Sequence, residues 1–295
     1  MTKRIVILSD THLGRPSGAA VSAAALRPLW DGASNLIING DVAEVHHPKH
    51  WAQAATQLLQ LLDFCDKDNV SLTLLSGNHD PFIGEVRHLH LADDQVFVTH
   101  GDVLHPAIAP WSPAAGRMRK AHEEALAEIE PESRNHLESR LGASQKASHA
   151  EWSDLEDEAG HSSLFAMLIR PWAIIQVLHY WHVFPRLVSR FVKDYSPQAR
   201  FAILGHTHRP GIWQIDGRVI INTGAFGFPG KPLAVCLQYD RLEVWPILLR
   251  DGLYEFAAEP IASFQLPELS EEDGDYAPLA LNTRPGSERS KAAAT

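Results

Sequence analysis

Five short segments of the chain combine the side chains that bind divalent metal ions, and each segment directly follows an apolar run. Carboxylate, amide and imidazole groups together form a ligand set suited to Mn, Fe, Zn, Ni or Co. The polar residues after the five runs are Asp10 and His12; Asp41; Asn78, His79 and Asp80; His100 and Asp102; and His206 and His208. Two such ions close together would bind hydroxide at neutral pH and neutralise phosphate oxygens, and Asp41 is the natural bridging carboxylate.

Taken singly, these motifs have simpler interpretations. Asp10-x-His12 and Gly40-Asp41 are also typical of helix caps and turns, and the "GNHD" segment has turn chemistry. The histidine pair in "GHTH" is less easily explained in that way, because histidines two residues apart suit metal chelation. All five segments together, each after an apolar run, favour a metal site.

The apolar runs predict the strands that position these residues. Continuous runs of four to six residues rich in β-branched side chains suit strands buried on both faces, and they occur at 4–9, 35–39, 71–75, 96–99 and 201–205. Within 49–68, apolar residues spaced by three and four predict a helix, which makes a strand–helix–strand unit with the runs on either side. In open α/β sheets, ligands bind at the carboxyl ends of the strands, where the polar segments would lie.

The rest of the chain divides into a helical block and further strands. From 106 to about 198, helical patterns dominate, including 114–130 and 132–141, and Pro171 and Pro185 could each open a helix. A less regular helical pattern covers 17–30, where Pro28 interrupts it. Two hairpins are predicted, turning at Asp216-Gly217 and at Asp240-Arg241.

This division predicts the domain organisation. A core would comprise 1–104 and 200–264, with a helical insertion at 105–199. Residues 265–295, rich in Pro, Glu, Ser and Ala, would form a disordered tail.

Composition limits the class of protein. The net charge of −10 over 295 residues argues against general affinity for nucleic acid. The two cysteines predict buried free thiols rather than a disulfide framework. The amino terminus enters a strand at once, and the most apolar stretch contains Arg170 and Pro171, so we expect neither a signal peptide nor a membrane span. The sequence favours a cytoplasmic protein, with contact to the inner face of the membrane left open.

The ordered motifs resemble the calcineurin-like metallophosphoesterase superfamily over roughly residues 1–104 and 200–250. The resemblance implies an α/β fold: a four-layer αββα sandwich of two mixed β-sheets, here with an all-helical insertion as a cap. It also implies the ligand roles of two divalent ions, Mn²⁺ foremost. One ion would be held by Asp10, His12 and His208, the other by Asn78, His100 and His206, with Asp41 as the bridge.

The resemblance also implies roles for residues that are not ligands. His79 would stabilise the transition state or protonate the leaving oxygen, a task that suits an imidazole pKa near neutrality. Asp80 and Asp102 would orient His79 or a ligand histidine. Arg209 would contact a phosphate oxygen or pair with a carboxylate.

The leading hypothesis is hydrolysis of a phosphodiester, pyrophosphate or monoester by a metal-bridging hydroxide. The size, the helical insertion and the "NTGA" segment are similar to UDP-2,3-diacylglucosamine pyrophosphohydrolases, which cleave a lipid A precursor at the membrane surface. Those enzymes usually carry arginine where this chain has His79, which favours a more general phosphoesterase. A non-catalytic scaffold of the same fold is the alternative of another class, and the charge balance opposes a nuclease.

Residues 161–200 form a local basic and aromatic segment within the predicted insertion. Five basic residues accompany one acid there, together with seven aromatic residues. The segment could receive an amphiphilic substrate or rest on anionic lipid. A packed helical core or a homodimer interface explains the same composition and is the interpretation we favour.

Overall fold

The computed structural model describes residues 3–152, 171–227 and 230–266. The strands are β1 (Arg4–Leu8), β2 (Asn35–Asn39), β3 (Ser71–Leu75), β4 (His88–Leu91), β5 (Val96–Thr99), β6 (Phe201–Leu204), β7 (Gly211–Ile215), β8 (Arg218–Asn222), β9 (Leu233–Gln238), β10 (Arg241–Arg250), β11 (Leu253–Phe256) and β12 (Ala262–Gln265). The helices are α1 (Ala23–Leu26), α2 (Trp51–Lys67), α3 (Ala115–Ala127), α4 (Leu137–Trp152) and α5 (Pro171–Tyr195), with 3₁₀ turns at Arg27–Trp30, Asp102–Leu104 and Pro131–Ser133.

The strands form two mixed sheets. Sheet 1 has the order β11-β10-β9-β1-β2-β3, with β12 also paired to β10, and β1, β2 and β3 are parallel. Sheet 2 has the order β4-β5-β6-β8-β7, with β5, β6 and β8 parallel. All five strands predicted from the apolar runs are therefore parallel members of the two sheets, and their carboxyl ends carry the polar segments.

The two sheets pack face to face, with helices on both outer faces. Successive strand residues point to opposite faces, so Ile5 and Ile7 of β1 pack against sheet 2, whereas Val6 and Leu8 pack under α1 and α2. On sheet 2, alternate residues of β6 likewise face sheet 1 or α5. The fold is thus the four-layer α/β sandwich that the sequence predicted.

The helical block lies between β5 and β6, with some differences from the sequence predictions. The prediction that Pro185 opens a helix is wrong, because α5 continues through it. The buried residues Phe184 and Val188 pack on sheet 2 on either side of Pro185, and this packing offsets the missing backbone donor. The pattern at 17–30 gives only the short α1 followed by a 3₁₀ turn that contains Pro28.

The hairpins and the last strands refine the predicted topology. The turn at Asp216-Gly217 is confirmed, with both residues at positive φ as a tight two-residue turn requires. The second hairpin turns one residue earlier than predicted, at Tyr239-Asp240, because Gln238 pairs with Arg241. The sequence did not predict three short strands: β4 at the edge of sheet 2, β11 at the edge of sheet 1, and β12, which pairs with β10.

Other predictions concern cysteines, membrane spans and residues outside the described ranges. Cys65 and Cys236 are buried free thiols, as expected. None of the helices in the described ranges has both the length and the hydropathy that crossing a bilayer requires. Strand β12 includes Gln265, the first residue of the predicted tail, and the tail beyond 266 lies outside the described residues, as do Phe165 and Arg170 of the basic segment.

Candidate metal centre

The loops after β1, β2, β3, β5 and β6 bring the predicted ligands to one edge of the sandwich. Five residues of these loops have a positive φ, which is uncommon outside glycine: Asp10, His12, Asp41, His206 and His208. Aspartate and histidine tolerate this region better than most residues, at a cost of about 1 kcal/mol or more each. Sharp turns at the strand ends therefore direct these side chains toward each other.

One group of ligand atoms comes from Asp10, His12, Asp41 and His208, whose donor atoms all lie within 4.8 Å of one another. Nε2 of His208 is 3.1 Å from Nε2 of His12 and 3.2 Å from Oδ1 of Asp10. Oδ2 of Asp41 is 3.8 Å from the same His12 nitrogen. Apart from the half-buried His208, these side chains are fully buried.

The second group comes from Asn78, His100 and His206. Oδ1 of Asn78 is 2.8 Å from Nδ1 of His206. Nε2 of His100 is 3.3 Å from Oδ2 of Asp41, the oxygen that also faces His12. A single carboxylate oxygen therefore lies between the two groups, which is the position of a bridging ligand.

In three imidazoles, the ring nitrogen that faces away from the centre makes a hydrogen bond, and this bond determines whether the other nitrogen can accept a metal ion. Nδ1 of His12 donates to the Glu44 carboxylate, Nδ1 of His100 to the Asn39 carbonyl, and Nε2 of His206 to the Ile108 carbonyl. A neutral imidazole has one donor and one acceptor nitrogen, so each ring that donates on its far side presents an acceptor to the centre.

These acceptor nitrogens face other acceptors. The ring nitrogen of His206 faces the Asn78 oxygen, and that of His100 faces Asp41. Among the described residues, Nε2 of His100 is buried without a hydrogen-bond partner. Buried lone pairs directed at one another are unfavourable unless a proton or a metal cation lies between them. The donor set therefore fits divalent metal ions, and the far-side hydrogen bonds favour the tautomer that such ions require.

The charges around the centre agree with this arrangement. Burial alone would raise the pKa of Asp41, but His100 and His79 outweigh it and hold this pKa well below its usual range. Burial lowers the pKa of His100, yet Asp41 reverses the effect and raises it well above the ordinary value. Burial and the neighbouring His100 lower the pKa of His206 to about 4. A proton on His100 thus competes with a cation for the same lone pair.

Glu44 is a buried residue of the centre that the sequence interpretation missed. Its two carboxylate oxygens accept from Nδ1 of His12 at 3.0 Å and from Nδ1 of His79 at 3.1 Å. Burial would raise the pKa of Glu44, but His79 and His12 hold it well below its ordinary value, so it is ionised. The signal in the sequence was an acid three residues after Asp41 in "GDVAE". Its contacts with His12 and His79 form only when the loop is folded.

His79 is oriented by Glu44 but is not part of the two ligand groups. Its backbone amide donates to Asp41 at 2.8 Å, and its ring lies edge-on to His12 at 4.8 Å. Burial lowers the pKa of His79, but Glu44 and Asp41 raise it to about 10. The ring is therefore positively charged at neutral pH in the absence of bound cations, with Nδ1 held by Glu44.

Asp80 and Asp102 have positioning contacts of different kinds. Asp80 is completely buried and accepts from the backbone amides of Asp41, Val42, Ala43 and Gly77. It therefore holds the loop that carries Asp41 rather than a histidine ring. Asp102 accepts from Ser144 of α4 at 2.8 Å, which ties the insertion to the strand that precedes His100.

Arg209 is directed toward the insertion. Its guanidinium donates to the carbonyl of Trp181 at 2.8 Å and lies over the rings of Trp181 and Trp213. Trp181 in turn donates to the carbonyl of Thr207, between the two histidines of "GHTH". Arg209 thus fixes α5 beside the ligand loop.

Two glycines are required by the close approach of these loops. A β-carbon at Gly77 would overlap the carboxylate of Asp41, and one at Gly205 would overlap the carboxylate of Asp10. The glycines before Asn78 and His206 therefore allow ligands from separate loops to meet.

A family model described as calcineurin-like phosphoesterase matches residues 3–210 of the chain. Three similar solved structures illustrate the neighbours. Vacuolar protein sorting 29 from Cryptosporidium parvum is 13% identical, with 90% of this chain and 98% of that chain covered and a TM-score of 0.43. Vps29 complexed with Zn²⁺ from Entamoeba histolytica is 12% identical, with 87% and 98% covered and a TM-score of 0.42. The phosphoesterase YfcE from E. coli is 15% identical, with 90% and 100% covered and a TM-score of 0.39. No curated protein matches the chain significantly.

Proposed function

The chain belongs to the calcineurin-like phosphoesterase family, and from this premise we propose that it hydrolyses a phosphoester bond with the help of two divalent metal ions, Mn²⁺ foremost. The observation that carries the proposal is the set of buried acceptor atoms directed at one another around Oδ2 of Asp41. Such a set is costly in a folded protein unless protons or metal cations lie between the acceptors.

The residues divide between two sites. Asp10, His12 and His208 would hold one ion, Asn78, His100 and His206 the other, and Asp41 would bridge them. When bound, such ions lower the pKa of coordinated water and neutralise phosphate oxygens. The chain contributes the orientation of each ligand, through the hydrogen bonds of Glu44, Asn39 and Ile108 to the far side of the rings.

His79 supplies the proton in this proposal. Hydrolysis forms a bond from a water oxygen to phosphorus, breaks the bond to the leaving oxygen and transfers one proton to that oxygen. The imidazole of His79 has Nδ1 fixed by Glu44, and 22% of its side chain is exposed, so a bound substrate can reach the ring. The positive charge of bound ions opposes the raised pKa, which brings the ring nearer the range useful for proton transfer.

The general substrate class is a phosphodiester or monoester. A second candidate is an amphiphilic pyrophosphate such as UDP-2,3-diacylglucosamine. It is favoured by the apolar side chains that α5 exposes, Trp172 at 76%, Ile175 at 53% and Leu178 at 54%. The same face would make peripheral contact with a membrane or a second copy of the chain.

The proposal is tested with purified protein, added Mn²⁺ and a panel of monoesters, diesters, cyclic nucleotides and UDP-linked acyl sugars. We expect Mn²⁺-dependent turnover of at least one class and loss of it in EDTA. His79→Ala should reduce kcat about 100-fold or more on esters with poor leaving groups, within the range of general acid catalysis, and less on p-nitrophenyl esters. The exposed His136 provides a control, since His136→Ala should leave turnover unchanged.

Three results would contradict the proposal. Equal losses on good and poor leaving groups would remove the acid role of His79. Binding of two metal ions without turnover of any substrate would instead favour a non-catalytic scaffold, and absence of metal binding would refute the site itself.

A further inference from the structure

The carboxyl-terminal end of α4 brings an additional acid to the metal centre. Oε1 of Glu151 accepts from the hydroxyl of Ser112 at 3.1 Å. Ser112 ends the loop that contacts His206, through the carbonyl of Ile108 at 3.3 Å and the ring of Trp111, whose centroid is 6.3 Å from that of His206. Glu151 is therefore anchored to a loop on the His206 side of the centre.

The same end of α4 also lies against the His79 side. The ring of His149, two residues before Glu151, meets Phe82 edge-on at 5.6 Å, and Phe82 meets His46 at 5.7 Å. Phe82 follows His79 by three residues in the same loop. Gln145, further back on the helix, donates to the carbonyl of Pro81. The insertion thus spans from the His79 loop to the His206 loop, with Glu151 between them.

Glu151 is electrostatically coupled to the centre. Its charge adds to those of Glu44 and Asp41 in raising the pKa of His79, after burial has lowered it. Burial, with smaller contributions from Asp41 and Glu44, raises the pKa of Glu151 itself, although His79 opposes this. Neither proposed metal site needs this carboxylate, since Asp10 and Asp41 already supply the acidic ligands.

We propose that Glu151 is a specificity-determining residue that directs the centre toward phosphodiesters and against phosphomonoesters. This inference rests on the proposed phosphoesterase function and specifies its substrate class. A monoester carries close to two negative charges near neutral pH, whereas a diester carries one. A carboxylate anchored near the centre repels the dianion more strongly, and the partial burial of Glu151 reduces screening by water and salt.

The decisive experiment compares two substrates with the same leaving group. Wild type, Glu151→Gln and Glu132→Gln are assayed with Mn²⁺ on p-nitrophenyl phosphate and bis-p-nitrophenyl phosphate. We expect Glu151→Gln to raise the ratio of monoester to diester kcat/KM about tenfold, equivalent to about 1.4 kcal/mol. Glu132 is an exposed acid of the same insertion, so its variant removes one charge from the surface and should leave the ratio unchanged.

A binding measurement separates charge from structure. At about pH 8, inorganic phosphate is mainly a dianion, and dimethyl phosphate is a monoanion. Glu151→Gln should tighten competitive inhibition by phosphate about tenfold more than inhibition by dimethyl phosphate, because the dianion carries one charge more. Ser112→Ala removes the hydrogen bond but keeps the charge, so it should retain the wild-type preference. If Glu151→Gln does not fold, Glu151→Ala provides a second neutral variant for the same assays.

The outcomes distinguish a failure of the role of Glu151 from a failure of the phosphoesterase function. An active wild type whose ratio and phosphate inhibition do not change in the neutral variants would overturn the role of Glu151 and leave the phosphoesterase function in place. A wild type that turns over neither these two esters nor any other phosphoester, with Mn²⁺ bound, would refute the function, and the inference with it.

Discussion

Replacing Asp80 by asparagine should destabilise the protein by several kcal/mol, although only one atom changes. Oδ1 of Asp80 accepts from the amides of Asp41 at 3.1 Å and Gly77 at 2.8 Å, and Oδ2 accepts from Val42 at 2.5 Å and Ala43 at 3.2 Å. In either orientation, the amide of asparagine turns an NH₂ group toward two of these four donors. Two buried N–H groups then lose their acceptor.

The magnitude follows from those two lost bonds. A buried donor left unsatisfied costs about 1–3 kcal/mol, but asparagine also removes the repulsion between the Asp80 and Asp41 carboxylates, so the net cost of Asp80→Asn should be about 2–4 kcal/mol. This is a large share of the 5–15 kcal/mol by which ordinary domains are stable. The midpoint of urea unfolding should fall by about 1–2 M.

The assay is urea unfolding of metal-free protein, followed by circular dichroism. Burial and the nearby Asp41 raise the pKa of Asp80 to about 7, so the measurement is made at about pH 8, where the carboxylate is ionised. Asp94→Asn is the matched control, because Asp94 is exposed at a positive φ that asparagine also tolerates. We expect the control to change stability by less than about 0.5 kcal/mol.

The same variant should also weaken metal binding, since Asp80 holds the loop that carries Asp41. Mn²⁺ titration by calorimetry measures this effect. A variant with the urea midpoint and Mn²⁺ affinity of wild type would refute the account of Asp80 as the acceptor that shapes this loop.

Three further predictions concern other parts of the centre. Glu44→Gln should weaken Mn²⁺ binding about 10- to 100-fold, as measured by calorimetry, because Nδ1 of His12 loses its charged acceptor. Gly205→Ala should abolish metal binding or unfold the protein, since its β-carbon overlaps Asp10, whereas Gly116→Ala in open space should be neutral in a thermal melt. In metal-free protein the pKa of His79 is raised to about 10. Its contribution to stability is therefore fully present below about pH 6.5 and lost as pH rises toward 10. The difference in urea midpoint between wild type and His79→Gln measures this contribution. A difference that stayed constant between about pH 6.5 and 10 would contradict the prediction.

The candidate site was largely predictable because the residue types that bind metal ions can be recognised in short segments of the sequence. Apolar runs of strand length predicted β1, β2, β3, β5 and β6, and each polar segment directly follows its strand. Since parallel strands share a carboxyl edge, convergence followed from the order of elements. Strands β4 and β12 were missed because "HLHL" and "ASFQ" alternate apolar and polar residues over only four positions.

Contacts between loops were not predictable. Glu44 and Glu151 are acids in polar stretches, and their significance arises only when they are brought to His79 and Ser112. Asp80 lies in the recognisable "GNHD" segment, yet its partners are backbone amides, which have no identity in sequence. Arg209 follows the ligand histidines, and the packing of α5 directs it to Trp181 instead of the centre.

From the sequence alone follow the kinds of candidate ligand atoms, their order along the chain and the strands that end beside them. These are local properties, set by side-chain chemistry and by the two-residue period of a strand. Tertiary structure alone decided which carboxylate oxygen faces both histidine groups, which ring nitrogen is left as an acceptor, and which acids surround His79. Those choices depend on distances between loops far apart in the chain, and such distances exist only after the two sheets have packed.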